Sequence, residues 1–302
     1  MSAGYLERSV TIGGPAWAVG EAFLQGILLE IGCFPKPGLV GFSSTGAHRD
    51  MNGLTFMASS AAIAPALYRC AQAGSEHQGY LAGLLPVIRK IGAFYEQKLL
   101  AATKGVNTQR GILFLAGVLC GAAGFVAKTD ARLPSEKVLA AASDMARGLI
   151  ARELKCLKSD KPNMTAGEQL YMRYGVTGIR GEVEAGFPSV AENGLPALWD
   201  AFSKAENLTE CLVHTLLSLM TRTEDTTIIW RKGLDRLGDV QNRARDVLDK
   251  GSVFSPAGRE ALTRLDADLC VAGISPGGSA DLLAATIGLY LLENQTFPVA
   301  IL

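Results

Sequence analysis

Chemistry-bearing side chains in this sequence gather in five short, glycine-rich stretches between apolar segments. Residues 34–52, FPKPGLVGFSSTGAHRDMN, bring Lys36, His48, Arg49 and Asp50 into one proline-stiffened loop. Lysine and arginine suit phosphate oxygens, and aspartate suits a magnesium ion. A solvated surface loop would carry the same charges, but His48, Arg49 and Asp50 adjoin a predicted helix start, which weakens that plainer reading. Residues 104–111, KGVNTQRG, stand directly before an apolar run. Asn107, Thr108 and Arg110 at a helix N-terminus make an anion cradle, or Asn107 or Thr108 is simply an N-cap.

Residues 167–189 are dense in Glu168, Arg173, Arg180, Glu182 and Glu184. Glu182 and Glu184 suit metal binding or proton abstraction; alternatively Glu182 pairs with Arg180 on a solvated turn, which is worth little. In residues 224–233, Asp225, Thr226 and Thr227 offer hard oxygen donors, and Arg231 and Lys232 offer phosphate contacts. Asp225 is equally a good N-cap. The strongest local signal is ISPGGSADLL at 274–283. Gly277 and Gly278 permit close backbone approach, Ser275 and Ser279 add hydroxyls, and a predicted helix begins at once, as in many phosphate sites. Asp281, in the first turn, either completes a magnesium site or complements the helix dipole.

Several classes are disfavoured. There is no GxxxxGK[ST], no strand-linked GxGxxG, no HExxH and no GxSxG, so neither a P-loop ATPase nor a Rossmann dehydrogenase fits. Lys and Arg total 29 against 29 Asp and Glu, leaving no net field for nucleic acid or an anionic membrane. The six cysteines are dispersed without a CxxC pair, which argues against a zinc cluster or a disulfide framework. With no basic-then-apolar leader at Met1, the expected location is cytoplasmic. His77 and His214 stand alone and read as structural.

The elements that must hold these stretches are helices. Val138, Leu139, Ala142, Met145, Ala146, Leu149 and Ile150 recur at three- and four-residue steps behind Ser135, a predicted cap. Similar patterns run over 17–31, 51–70, 80–102, 208–220, 256–271 and 280–293, and only 297–302 reads as a short extended tail. The expectation is an all-α, multi-helix globular bundle, a single domain over 1–302, with functional glycine-rich junctions. Residues 111–127, GILFLAGVLCGAAGFVA, are apolar throughout. They fall short of the ~20 residues of a membrane span and are rich in small residues, so a central bundle helix is expected.

Seven blocks then carry a resemblance: PKPGLV (35–40), GAHRDM (46–51), GVNT (105–108), YGVTGIRGE (174–182), GFPSV (186–190), DT (225–226) and SPGGSADLL (275–283). In this order they resemble the triphosphoribosyl-dephospho-CoA synthases that serve citrate lyase and malonate decarboxylase. The resemblance spans roughly residues 20–290. It implies a helical pentosyltransferase using ATP and 3′-dephospho-CoA as substrates, with magnesium (Mg2+) on the triphosphate and adenine released. On that footing Asp50, Asp225 and Asp281 are the expected metal ligands. Lys36, Arg49 and Arg180 are expected on phosphates, beside Asn107, Thr108, Arg110, Ser275, Gly277, Gly278 and Ser279. Glu182 is the expected base, with Asp50 and His48 as further catalytic candidates. The sequence departs from the family pattern at Asn52, at Gln109-Arg110 and at Ala166, where the family commonly has Asp, His-Lys and Arg. Two alternatives stay open at this stage: a magnesium-dependent nucleotide N-glycosidase or hydrolase, and a non-catalytic nucleotide- or CoA-binding protein. A homodimer is compatible with any of them.

Overall fold

The three- and four-residue apolar spacing becomes helix along nearly the whole chain. The computed structural model describes residues 13–158 and 161–301. It is 71% helical, with 13 α-helices and no strand among the described residues. The start of the chain, on which the expected location rests, and Leu302 of the expected tail lie outside the described residues.

The central layer is built from α1 (Gly14–Gly32), α2 (Gly53–Glu76), α3 (Leu85–Ala102), α4 (Arg110–Val126) and α5 (Ser135–Ala146). Two short helices follow, α6 (Ala166–Tyr174) and α7 (Gly178–Glu184). The second half comprises α8 (Leu195–Phe202), α9 (Leu208–Met220), α10 (Thr226–Lys232), α11 (Leu234–Asp249), α12 (Pro256–Ala272) and α13 (Gly277–Asn294). The last helix returns to pack along α1 and α4. Buried apolar side chains from both halves form one contiguous core.

The small-residue run at 111–127 is explained by helix approach. α4 is buried on nearly every face and crosses α2 backbone to backbone. A Cβ on Gly124 would sit 2.0 Å from the Ala71 carbonyl oxygen, and one on Gly74 would sit 2.0 Å from that of Gly121. Only glycine allows that distance. No helix among the described residues is long and apolar enough to cross a membrane.

Two local expectations change. Ser135 begins α5 but caps nothing; its amide and hydroxyl both donate to Glu293, pinning α5 to the end of α13. The described part of the tail, 297–301, forms no strand, although the Ala300 carbonyl accepts the Leu208 amide at 2.8 Å. The two isolated histidines hold structure. His77 meets the Tyr80 carbonyl at 2.9 Å, and His214 meets the Ser252 hydroxyl at 2.9 Å while packing on Phe254.

Candidate active site

The five glycine-rich stretches, far apart in sequence, meet at one cavity of about 530 Å³. Helix ends bring them there. The loop after α1 supplies His48 and Asp50, and the α3–α4 junction supplies Asn107, Thr108 and Arg110. The third stretch supplies Glu182, and Ser275, Gly277, Gly278 and Asp281 come from the start of α13. Thr226, Thr227, Trp230 and Arg231 of α10 complete the wall.

The N-terminus of α4 opens onto this cavity. Its N-cap residue, Gln109, makes no capping bond, because its side chain turns inward to accept from Ser59 (2.5 Å) and Ser60 (3.1 Å). The Thr108 hydroxyl is buried with no hydrogen-bond partner among the described residues. A helix end left uncapped beside an orphaned hydroxyl leaves polar donors open to an acceptor in the cavity. Arg110 meanwhile reaches Glu96 at 2.6 Å.

The start of α13 is arranged differently from a free phosphate cradle. Asp225, 1% exposed, accepts from Thr227 and Ile228 amides through Oδ1, capping α10. Its Oδ2 accepts from the Ser279 amide at 2.9 Å and hydroxyl at 3.2 Å, so the same carboxylate also ties down the first turn of α13. Burial pushes the Asp225 carboxyl up from its ordinary range, and these hydrogen bonds oppose the rise. Ser279 is buried against Asp225, while Gly277 and Gly278 face the cavity. A Cβ on Gly278 would come 3.1 Å from the Asp225 carboxylate, which is the packing reason for the second glycine.

Carboxylates gather at the cavity floor. Asp281 lies against the first turn of α4, where a Cβ on Gly111 would meet its Oδ2 at 2.0 Å. Among the described residues nothing donates to it. Burial, then the neighbouring Glu30 and Asp225 carboxylates, push Asp281 well above the usual range. Glu30 also lines the cavity and is paired at 2.6 Å with Lys36, which is buried behind it.

Glu182 and Glu184, equivalent by type, part company here. Glu184 accepts the amides of Gly148 and Ile150 and ties down the chain after α5. Glu182 faces the cavity and accepts the Ser189 amide at 2.8 Å and hydroxyl at 3.0 Å. Burial raises its carboxyl above the ordinary value, against the pull of the Ser189 bonds. At the rim, His48 Nδ1 stands 3.5 Å from Arg231 Nη1 and 3.7 Å from Asp50 Oδ1. Burial and then Arg231 lower the His48 pKa, which favours neutral imidazole.

The other predicted cations sit off the cavity wall. Arg49 is exposed. Arg180 donates to Glu153 at 2.9 Å, and Arg89 holds the same carboxylate. Burial would raise Glu153, but the two guanidiniums outweigh it and its carboxyl lies below the usual range. Of the departures from the family pattern, Asn52 caps α2 in a capping box with Thr55, Gln109 is the buried acceptor described above, and Ala166 lines the cavity. Glu30 and Trp230 carried no signal as site residues in the sequence. A single acid inside the apolar segment GILLEIG was the available hint for the first.

A helical scaffold whose junction loops converge on one cleft, with carboxylates, cations and an uncapped helix end around it, carries the groups that an enzyme for a phosphorylated substrate would use. Comparison with known proteins narrows this class. Residues 16–297 match the CitG family, described as ATP:dephospho-CoA triphosphoribosyl transferase. The chain is 44% identical over 298 residues to a probable 2-(5″-triphosphoribosyl)-3′-dephosphocoenzyme-A synthase of Malonomonas rubra, covering 98% of this chain and 94% of the relative. It is 40% identical over 282 residues to a probable synthase of the same description from Vibrio cholerae, covering 93% and 90%. It is 39% identical over 273 residues to the 2-(5″-triphosphoribosyl)-3′-dephosphocoenzyme-A synthase of Pectobacterium atrosepticum, covering 90% and 88%. No solved structure matches at a significant level. The chain belongs to the ATP:dephospho-CoA triphosphoribosyl transferase family. The hydrolase and binding-protein alternatives receive no support from these relatives.

Proposed function

We propose that this chain joins ATP to 3′-dephospho-CoA, giving 2′-(5″-triphosphoribosyl)-3′-dephospho-CoA and free adenine. The observation that carries the reading is the family match across residues 16–297, on a chain whose matching blocks line one cavity.

In this reading the 2′-hydroxyl of dephospho-CoA attacks C1′ of the ATP ribose. The C1′–N9 bond breaks as the O2′–C1′ bond forms; one proton leaves the hydroxyl and one joins the departing adenine. Glu182 takes the hydroxyl proton. Its raised pKa makes it a stronger base than an ordinary carboxylate, and Ser189 fixes its direction. Oxocarbenium character at C1′ calls for negative charge nearby, which Glu182 supplies while ionised. His48, held by Arg231 and Asp50, serves as a neutral hydrogen-bonding group at the rim.

The triphosphate is assigned to the open end of α4, with Asn107, the unpartnered Thr108 hydroxyl, Arg110 and Arg231. A phosphate there would sit beside the Asp281 carboxylate, and two anions at one helix end repel unless a cation offsets them. That donor set fits magnesium: Asp281 is unpartnered, Glu30 is close to it, and Asp50 stands at the mouth. No three His, Cys, Asp or Glu side chains among the described residues form a ready cluster. The remaining coordination would then come from phosphate oxygens and water, as is usual for this ion. Magnesium there would neutralise triphosphate charge. Asp225, whose oxygens already accept four hydrogen bonds, serves the site by holding α10 and α13 together. A cytoplasmic setting accords with six cysteines that are all free.

The test is to incubate the purified protein with ATP, magnesium and 3′-dephospho-CoA, then measure free adenine and analyse products by mass spectrometry. Equal amounts of adenine and of the triphosphoribosyl adduct are expected. Adenine without adduct would replace the transferase with a hydrolase, and neither product from folded, ATP-bound protein would overturn the reading.

A further inference from the structure

The family reaction uses two nucleotides, each carrying an adenine ring, and the site residues discussed so far account for phosphates, protons and a cation only. Nothing among them recognises a base. Three tryptophans occur in the chain, and two have aromatic neighbours. Trp17 lies 5.0 Å from Tyr68 between ring centroids, and Trp199 lies 5.1 Å from Tyr290 and 5.8 Å from Phe202. Trp230 has no ring neighbour and no hydrogen bond among the described residues. It is nevertheless 49% exposed and lines the cavity, in the last turn of α10.

All three tryptophans are about half exposed, but only Trp230 turns its indole to the cavity, where a flat ring can cover it. Its neighbour in sequence adds chemistry. Arg231 lines the same cavity and extends toward His48. An aromatic face beside a guanidinium at a cleft mouth matches a nucleotide, base on the ring and phosphate on the cation. α10 is itself anchored at its N-terminus by the doubly bonded Asp225, so the platform is held against α13 and the acidic floor.

We propose that Trp230 is the stacking platform for an adenine ring, with Arg231 engaging the phosphates of the same nucleotide. This rests on the transferase reading, and it adds the base-recognition element which that reading lacks. The shared chemistry is adenine; the two sources are ATP and dephospho-CoA.

Intrinsic fluorescence distinguishes them. In a W17F/W199F protein Trp230 is the sole indole, and neither replaced residue lines the cavity. ATP and dephospho-CoA are titrated separately, with inorganic tripolyphosphate as the probe that has charge but no base. Quenching by one or both nucleotides and none by tripolyphosphate is expected. On the otherwise unaltered enzyme, W230A should raise KM for the quenching nucleotide about tenfold or more, the scale on which base stacking registers on alanine substitution. The kcat should change much less, and W230F should restore most of the loss. A merely structural tryptophan would give parallel losses in kcat and stability and no base-dependent quenching. Nucleotides that bind and turn over with unchanged KM in W230A, without altering Trp230 emission, overturn the proposal and leave the transferase reading intact. Absence of any nucleotide binding to the folded protein would instead overturn both.

Discussion

Replacing Asp225 by alanine separates an anchoring role from a metal-binding one. The carboxylate holds four hydrogen bonds, two to the first turn of α10 and two to Ser279 of α13. Losing an N-cap costs about 0.5–2 kcal/mol. Leaving the buried Ser279 amide unsatisfied costs about 1–3 kcal/mol more. Relief from burying an ionised group offsets part of this, so a net loss of about 2–3 kcal/mol is expected for D225A. For a chain of this size that lowers Tm by roughly 3–5 °C. D225N behaves differently, because asparagine caps as well as aspartate and its carbonyl can keep the α10 bonds. Both Ser279 donors lose their acceptor, although the hydroxyl can turn to accept from the new amide nitrogen, and the buried charge disappears, so Tm should fall less than in D225A and turnover should persist. Calorimetry on both variants, with adenine release as the activity assay, makes the comparison. A D225A protein that melts with the wild type, together with D225N that has lost magnesium-dependent turnover, would refute the anchoring argument and return Asp225 to the metal.

Four further variants test the same structure. E182Q should lower kcat by about 10²–10⁴-fold, the usual worth of a positioned base. Because burial raises the Glu182 carboxyl, the acid limb of kcat/KM should lie above the ordinary carboxylate range, and S189A, which removes a hydrogen bond to the ionised form, should move it higher still. A limb unmoved by S189A would count against Glu182 as its source. D281N should stabilise the ligand-free protein at neutral pH while weakening magnesium-dependent turnover: a carboxyl whose pKa is raised on folding supports the fold fully at low pH and loses that support as pH rises past the unfolded value toward the folded one. Denaturant melts of D281N and wild type across that range check the sign, and lower stability of D281N at neutral pH would contradict it. G124A would push a methyl to 2.0 Å from the Ala71 carbonyl and should cost about 1–3 kcal/mol or more as α2 and α4 separate. Wild-type stability would mean the crossing is looser than described.

The helices were legible from apolar spacing because most present one face to a common core; 208–220 reads from sequence as it folds, Leu208–Met220. The chemistry-bearing loops were legible as clusters of unusual residue types. What the local pattern could not disclose was how those residues are shared out, since partners come from elsewhere in the chain. Lys36 is taken by Glu30, Arg180 by Glu153, and the Ser279 amide by Asp225, 54 residues away. A GGS stretch before a helix has the same spacing whether its amides meet a phosphate or an aspartate from another loop. Likewise Glu182 and Glu184 differ only in the direction their helix gives them. Trp230 was invisible as a site residue because a tryptophan beside two isoleucines reads as core, and only its exposure at the cavity says otherwise.

The floor of the cavity joins Glu30 of the first described helix to Asp281 of the last, across nearly the whole length of the sequence. Gly26 permits this meeting, since a Cβ there would stand 2.4 Å from the Ala284 carbonyl oxygen of α13. Contacts of such high sequence separation form late, after the entropy of closing the long intervening chain has been met. The complete cavity therefore requires a chain that extends through α13, whose first turns supply one of its walls. Ligand that binds only the joined helices pulls the equilibrium toward the finished fold.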